Sequence, residues 1–163
     1  MANHFSQLAR KSKTNGSLEK ISKEQTGIPS LEIYKLGDDV LRRNATRISK
    51  VDNSIRNLAK EMLQSMYAAK GIGLAAPQIG INKELLVIDI NFEDSAAEPL
   101  ILINPEISAY GTTLNSYEEG CLSIPGVYLN VIRPSTIKLK FRDEMGRPRK
   151  LKADGLLARC IQH

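Results

Sequence analysis

Two strands and a helix are predicted in succession by TIKLKFRDEMGRPRKLKADGLLARCIQH, residues 136–163. At its start, Ile137, Leu139 and Phe141 alternate with basic residues, a period of two that is typical of a half-buried strand. The turn-forming DEMGRP follows, and KLKA can return as the hairpin partner. Asp154 is then suited to the N-cap of a helix. The apolar face of that helix comprises Leu156, Leu157, Cys160 and Ile161.

A second, longer helix is predicted in VDNSIRNLAKEMLQSMYAAKG, residues 51–71. Asp52 or Asn53 is suited to its N-cap, and Gly71 is suited to its end. Its apolar residues recur at intervals of three and four and therefore share one face: Ile55, Leu58, Met62, Met66 and Ala69. This face predicts packing against a core.

The remaining pattern indicates an α+β fold. The branched apolar runs ELLVIDI (84–90) and LILIN (100–104) predict buried strands. Mixed or antiparallel strands with hairpin-like spacing, together with two separated helices, argue against a parallel doubly wound sheet. With 163 residues and 42% hydrophobic content, we expect one ordered domain over residues 30–163. Residues 1–29 are polar and lack a sustained hydrophobic period, which predicts a flexible extension.

The composition narrows the class of protein. No run approaches the roughly 18 apolar residues of a membrane helix, so no membrane partner is expected. The two cysteines do not make a disulfide framework and nothing resembles a secretory signal, which favours the cytoplasm, with an organelle less favoured. The net charge of +5 permits contact with a ribosome without requiring it, and no DNA partner is expected. We also expect a monomer.

A basic strand face is predicted in the C-terminal hairpin. Its members are Lys138, Lys140, Arg142, Arg147, Arg149 and Lys150. Such a face either contacts ribosomal RNA or is an ordinary solvated surface. The solvated surface is favoured, because no aromatic side chains lie between the charges.

The stretch GIGLAAPQIG, residues 71–80, is the first candidate for chemistry. Its glycines and alanines allow another backbone or a ligand to approach closely. Gln78 can both donate and accept hydrogen bonds. The stretch lacks the Lys-Ser/Thr ending of a phosphate loop. It is therefore either a structural helix-to-strand turn or the wall of a narrow site.

The stretch YEEGCLSIPG, residues 117–126, is the second candidate. Cys121 is a buried structural cysteine, a thiolate metal ligand or a nucleophile. A nucleophilic cysteine usually requires a histidine to activate it, and so does a mixed Cys/His metal site. The chain has only His4 and His163. His4 lies in the predicted extension. His163 ends the helix that begins near Asp154.

Taken together, three stretches resemble the signature motifs of the peptide deformylases, which are metallohydrolases. They are GIGLAAPQ, EGCLS and the helix ending in Gln-His, and the resemblance runs from about residue 29 to residue 163. The third motif of that family is His-Glu-x-x-His on a helix, which places two histidines on one face. The sequence stops at the first of them. We therefore expect that the chain is cut within its metal-binding helix and that its strands pack around that helix.

The resemblance implies a metal site with Cys121 and His163 as ligands. Fe²⁺ is the implied ion, with Zn²⁺, Ni²⁺ or Co²⁺ as substitutes. Metal-bound hydroxide would attack the formyl carbon, and the Gln78 amide and Leu122 N–H would stabilise the oxyanion. The family's glutamate, the general acid/base, and its third ligand lie beyond His163. Metal affinity and activity of this chain by itself are therefore expected to be weak.

The implied substrate is a nascent polypeptide that begins with N-formylmethionine. It would lie extended along strand edges near Gly73 and Ile124 to Gly126, and Leu156 would form a wall of the methionine pocket. A bulky side chain at position 73 would then reduce peptide turnover more than metal binding. Arg133 would support Glu118 or Glu119 beside the site.

A second interpretation is a truncated, non-catalytic relative that binds formylated peptide ends or the ribosome. Gln78 and Cys121 are both present, which favours the enzyme.

Overall fold

The computed structural model describes Lys23 and residues 31–163. The flexible extension predicted for residues 1–29 lies outside this part, apart from Lys23. Within the described residues, no helix has the length and apolar character needed to cross a bilayer.

Seven strands of the described chain form two antiparallel sheets. The larger sheet has the order β1-β2-β3-β6-β7 and the smaller one pairs β4 with β5. The strands are β1 (Gly73–Ala75), β2 (Leu85–Ile88), β3 (Leu100–Tyr110), β4 (Leu114–Cys121), β5 (Ile124–Pro134), β6 (Thr136–Arg142) and β7 (Pro148–Asp154). The C-terminal hairpin is confirmed as β6 and β7, with Leu139 opposite Leu151. LILIN is only the start of β3, because polar residues after it continue the strand.

Two α-helices were predicted and both are present in the described residues, as α1 (Asn53–Ala68) and α2 (Gly155–Gln162). Asp52 caps α1, since its carboxylate accepts hydrogen bonds from the backbone N–H groups of Ser54 and Ile55. Asp154 is the N-cap of α2 as predicted, but its side chain makes no capping hydrogen bond. Packing must therefore hold α2 in place.

The core lies on both faces of the larger sheet. Alternate residues of β2 and β3 point to opposite sides, as the period of a strand requires. Val87 and Ile103 pack with Met66 of α1. Ile88 and Leu102 pack with β6, β7 and Leu157 of α2. Burial on both faces explains why β2 and the first four residues of β3 are apolar without interruption.

We predict that Asp52→Ala lowers the melting temperature by a few degrees, because two backbone donors at the start of α1 lose their acceptor. Asp52→Asn is the matched control, since asparagine also caps helices well. Calorimetry of the three proteins checks the prediction. Equal melting temperatures for Asp52→Ala and Asp52→Asn would contradict it.

Candidate metal centre and peptide groove

The Gln78 side chain joins the first two motifs. It projects from a short 3₁₀ helix, Ala76–Ile79, which directly follows β1. Its carbonyl oxygen Oε1 accepts a hydrogen bond from the Ala75 N–H at 2.9 Å. This bond leaves the NH₂ group to donate to Ser123 Oγ at 3.1 Å, and it lies 3.8 Å from Cys121 Sγ. The amide is therefore held with its donor directed at the cysteine.

Cys121 lies at the end of β4, where the chain turns into β5. It is paired with Ile124, and Leu122 and Ser123 form the turn between them. The thiol is free and half-buried. Partial exposure argues against the purely structural cysteine, since such residues are typically inert and fully buried.

Residues 34–36 connect these two motifs through hydrogen bonds. The Tyr34 N–H donates to the Gln78 carbonyl and the Leu36 N–H donates to the Ser123 carbonyl, both at 2.8 Å. The Lys35 ammonium donates to the Leu122 carbonyl at 3.0 Å. The sequence did not predict these hydrogen bonds, because no local pattern relates residues more than 40 positions apart.

His163 reaches the same strand through Glu119. Its Nδ1 lies 2.8 Å from Glu119 Oε2, which leaves Nε2 available to a ligand. Glu119 precedes Cys121 by two residues on β4. A carboxylate on one imidazole nitrogen is the usual way of orienting a histidine whose other nitrogen binds a metal ion.

Two arginines share the Glu119 carboxylate with His163. Arg133 binds it with both Nε and Nη2, at 2.7 and 2.8 Å, and Arg159 Nη1 binds it at 2.7 Å. The Arg133 hydrogen bond lowers the pKa of Glu119 to about 2; burial opposes this shift, and His163 and Arg159 reinforce it. The structure thus selects Glu119 over Glu118 as the partner of Arg133.

Arg159 is a site residue that the sequence did not reveal. It lies in α2 with 10% of its side chain exposed. Besides Glu119 it donates to the carbonyls of Val131 and Asn115, and its guanidinium lies 5.5 Å from the centre of the Tyr117 ring. These contacts attach α2 to β4 and β5. On a helical pattern alone, Arg159 resembles an ordinary surface residue.

Gly73 packs against the helix that carries His163. A Cβ atom at this position would lie 2.6 Å from Cys160 Sγ, closer than real contacts allow. Gly73 also begins β1, an edge strand of the larger sheet. Ile124 and Gly126 lie at the start of β5, and Gly126 has φ +77°, which favours glycine. Gly73 thus lies on an outer strand of the larger sheet, and Ile124 and Gly126 lie in one strand of the two-stranded sheet.

Leu156 lines a cavity of about 420 Å³ between α2 and the start of β4. Tyr117 and Arg159 line it as well. Leu156 is 43% exposed, so it can contact a ligand side chain. The cavity thus has an apolar wall and an aromatic wall.

The side chains of Cys121 and His163 suit a divalent transition metal. In residues 31–163 and Lys23, no three His, Cys, Asp or Glu side chains are grouped as a metal site. Cys121 and His163 are a thiol and an imidazole, the ligands favoured by zinc and iron. Cys160 is not equivalent, because burial raises the pKa of its thiol to about 12.

Comparison with known proteins agrees with this geometry. The family model for polypeptide deformylase matches residues 30–163. A peptide deformylase of Prochlorococcus marinus subsp. pastoris is 90% identical over all of this chain, which spans 81% of that protein. The chain belongs to the peptide deformylase family.

Other members of the deformylase family differ more in sequence but share the fold. A peptide deformylase of Synechococcus sp. is 60% identical over the whole chain and 81% of its own length. The crystal structure of a peptide deformylase from Synechococcus elongatus with actinonin has a TM-score of 0.86 and 54% identity, covering 88% of this chain and 78% of that one. The Thermotoga maritima structure has a TM-score of 0.78 and 34% identity, covering 83% of this chain and 89% of that one. These matches confirm the predicted α+β deformylase fold.

Proposed function

We propose that the site removes the formyl group from peptides that begin with N-formylmethionine, with the aid of one divalent metal ion. One observation carries the proposal: Gln78, Cys121 and His163 come from three distant motifs, yet Gln78 contacts Cys121 and His163 contacts Glu119 on the same strand. We further propose that the protein is a monomer located in the cytoplasm.

In the proposed site, Cys121 Sγ and His163 Nε2 hold the metal ion. Fe²⁺ is the ion we favour, with Zn²⁺, Ni²⁺ or Co²⁺ as substitutes. When bound, such an ion acts as a Lewis acid and lowers the pKa of water towards 7. Glu119 orients the His163 ring and keeps Nδ1 occupied.

The remaining side chains act on the peptide. The Gln78 amide, fixed by its bond from Ala75, donates to the oxygen on which negative charge develops, and the Leu122 N–H is the proposed second donor. One such donor is typically worth about 3–4 kcal/mol in the transition state. The peptide backbone pairs with the edges at Gly73 and at Ile124 to Gly126. Its methionine side chain enters the cavity beside Leu156.

Metal binding tests the ligand assignment. We expect wild-type protein to bind Co²⁺ with the charge-transfer band of a thiolate ligand, and Cys121→Ala to lose both the band and the binding. Cys160→Ala is the matched control, because its thiol lies outside the site and should leave the spectrum unchanged. Spectrophotometric titration under anaerobic conditions measures both. A spectrum that survives Cys121→Ala would overturn the assignment.

Turnover tests the reaction itself. The Glu-x-x-His continuation that the third motif predicts is added after His163, the protein is loaded with Fe²⁺ without oxygen, and formate release from N-formyl-Met-Ala-Ser is measured. Formate release that requires both Gln78 and the added glutamate supports the enzyme. Peptide binding without formate supports the non-catalytic alternative instead.

A further inference from the structure

A buried charged cluster lies at the end of β2. It shares no residue with the group formed by Glu119, Arg133, Arg159 and His163, which we call the Glu119 cluster. The centre of the cluster at β2 is Asp89, which is 3% exposed. The Tyr67 hydroxyl donates to Asp89 Oδ2 at 2.7 Å, and the Asn91 N–H donates to Oδ1 at 2.9 Å. The Lys23 ammonium lies 2.8 Å from Oδ2. Among the described residues, Lys23 is the ion-pair partner of this carboxylate.

The surroundings of Lys23 form a built site for an ammonium group. Besides Asp89, its Nζ donates to the Asp94 carbonyl at 2.8 Å and to the Asn91 carbonyl at 3.2 Å. An ammonium has three donors, and each has an acceptor here. Only 11% of the Lys23 side chain is exposed. The site therefore takes one primary ammonium, which comes from the region that the sequence pattern predicted to be a flexible extension.

The cluster also holds both ends of the segment that leads into β1. Tyr67 lies in the last turn of α1. On the other side, the Asp89 N–H donates to the Ile72 carbonyl at 2.9 Å, directly before Gly73. Lys70 lies between Tyr67 and Ile72 in the chain and has φ +56°, which is unfavourable for a residue with a side chain. A strained connection of this kind persists only where its surroundings fix it.

Removal of the Lys23 ammonium would take from a buried carboxylate the counter-charge that the described part of the chain provides. Burial, reinforced by Asp89, raises the pKa of Tyr67 far above its ordinary value, so its hydroxyl keeps the proton that it donates to Asp89. A neutral hydroxyl does not replace the positive charge of an ammonium. An unpaired buried charge is strongly unfavourable. Asp89 would then move towards water, and its N–H bond to Ile72 would loosen.

We propose that Lys23 is a positioning residue for β1: its ammonium fills the site formed by Asp89, Asn91 and Asp94 and thereby fixes the strand edge at Gly73. The consequence for peptide binding rests on the proposed function. The consequence for β1 does not, so the two are tested by separate measurements.

Lys23→Met tests the proposal, with Lys152→Met, a substitution of an exposed lysine on β7, as the matched control. We expect amide hydrogen exchange at Ile72–Ala75 and Ile88–Asp89 to be at least about tenfold faster in Lys23→Met, while β6 and β7 are unchanged. We expect the melting temperature to fall by at least about 5 °C. Lys152→Met should match the wild type in the exchange of Ile72–Ala75 and Ile88–Asp89. Weaker binding of N-formyl-Met-Ala-Ser by Lys23→Met is expected as well.

Chemical rescue separates the ammonium from other effects of the substitution. Ethylammonium should partly restore slow exchange to Lys23→Ala, whereas tetramethylammonium, which has no N–H donor, should not. Should Lys23→Met fail to fold, Lys23→Met combined with Asp89→Asn should recover folding, because the uncompensated charge is gone. Unchanged exchange in Lys23→Met, uniform acceleration throughout the chain, or equal rescue by both ions would overturn the proposal. If the exchange changes as expected but no variant binds the peptide, the proposed function fails and the role of Lys23 stands.

Discussion

Glu119→Gln is expected to weaken metal binding by about 10–100-fold, the usual effect of removing a carboxylate that orients a metal-binding histidine. The same change leaves Arg133 and Arg159 without their shared counter-charge. Breaking a buried ion pair typically costs about 3–5 kcal/mol. We expect a loss of unfolding free energy at the low end, about 3 kcal/mol, because Arg133 is 22% exposed and partly screened by water.

Glu118→Gln is the matched control for this prediction. Glu118 is the preceding residue on β4, is exposed, and points to the other face of the hairpin. Competition with a coloured chelator gives the metal affinity, and urea unfolding gives the stability. Identical affinities and stabilities for the two variants would show that the Glu119 cluster does not support His163.

The pH dependence of stability follows from the same carboxylate. Because its pKa is lowered from 4.5 to about 2 in the folded protein, chiefly by Arg133, the ionised group favours the folded state. This contribution is fully present above pH 4.5 and is lost as the pH falls towards 2. The stability difference between wild type and Glu119→Gln should therefore shrink as the pH falls from 4.5 towards 2. A difference that grew below pH 4.5 would contradict the lowered pKa.

Gly73→Ala is expected to destabilise the protein by about 1–3 kcal/mol, the usual range for an overpacked core. The new Cβ would lie 2.6 Å from Cys160 Sγ on α2, so the helix or the strand must shift. His163 follows Cys160 by three residues, and we therefore expect metal binding to weaken together with peptide binding. The sequence alone led us to expect a much larger loss of peptide turnover than of metal binding. The contact between positions 73 and 160 leads us to expect that both are reduced.

Cys160→Ala in the Gly73→Ala background provides the control. Removing the sulfur removes the atom that the new methyl group would contact, so the double variant should recover stability and metal affinity relative to Gly73→Ala. Thermal unfolding and Co²⁺ titration of the four proteins measure the coupling. Additive losses in the double variant would show that Gly73 acts independently of Cys160.

The local elements could be read from the sequence because their signals are local. The periods of α1 and β6, the turn that returns the chain as β7 and the cap at Asp52 involve residues a few positions apart, and the structure confirms them. The Asp154 side chain makes no capping bond despite its favourable residue type, since tertiary contacts such as those of Arg159 hold α2 instead. The polar half of β3 escaped prediction, because pairing with β6 and not burial extends it.

The sequence by itself determined the fold class, the family and the three motifs, since residue type and spacing are properties of the chain alone. Only the tertiary structure decided that Glu119 is the acidic residue that contacts His163 and that Arg159 binds the same carboxylate. It also decided that Cys160 packs against Gly73 and that Lys23 pairs with Asp89. His163 and Glu119 are 44 positions apart, and no periodicity relates residues at that separation. Their pairing depends on how helix and sheet pack, and packing is a property of the folded molecule.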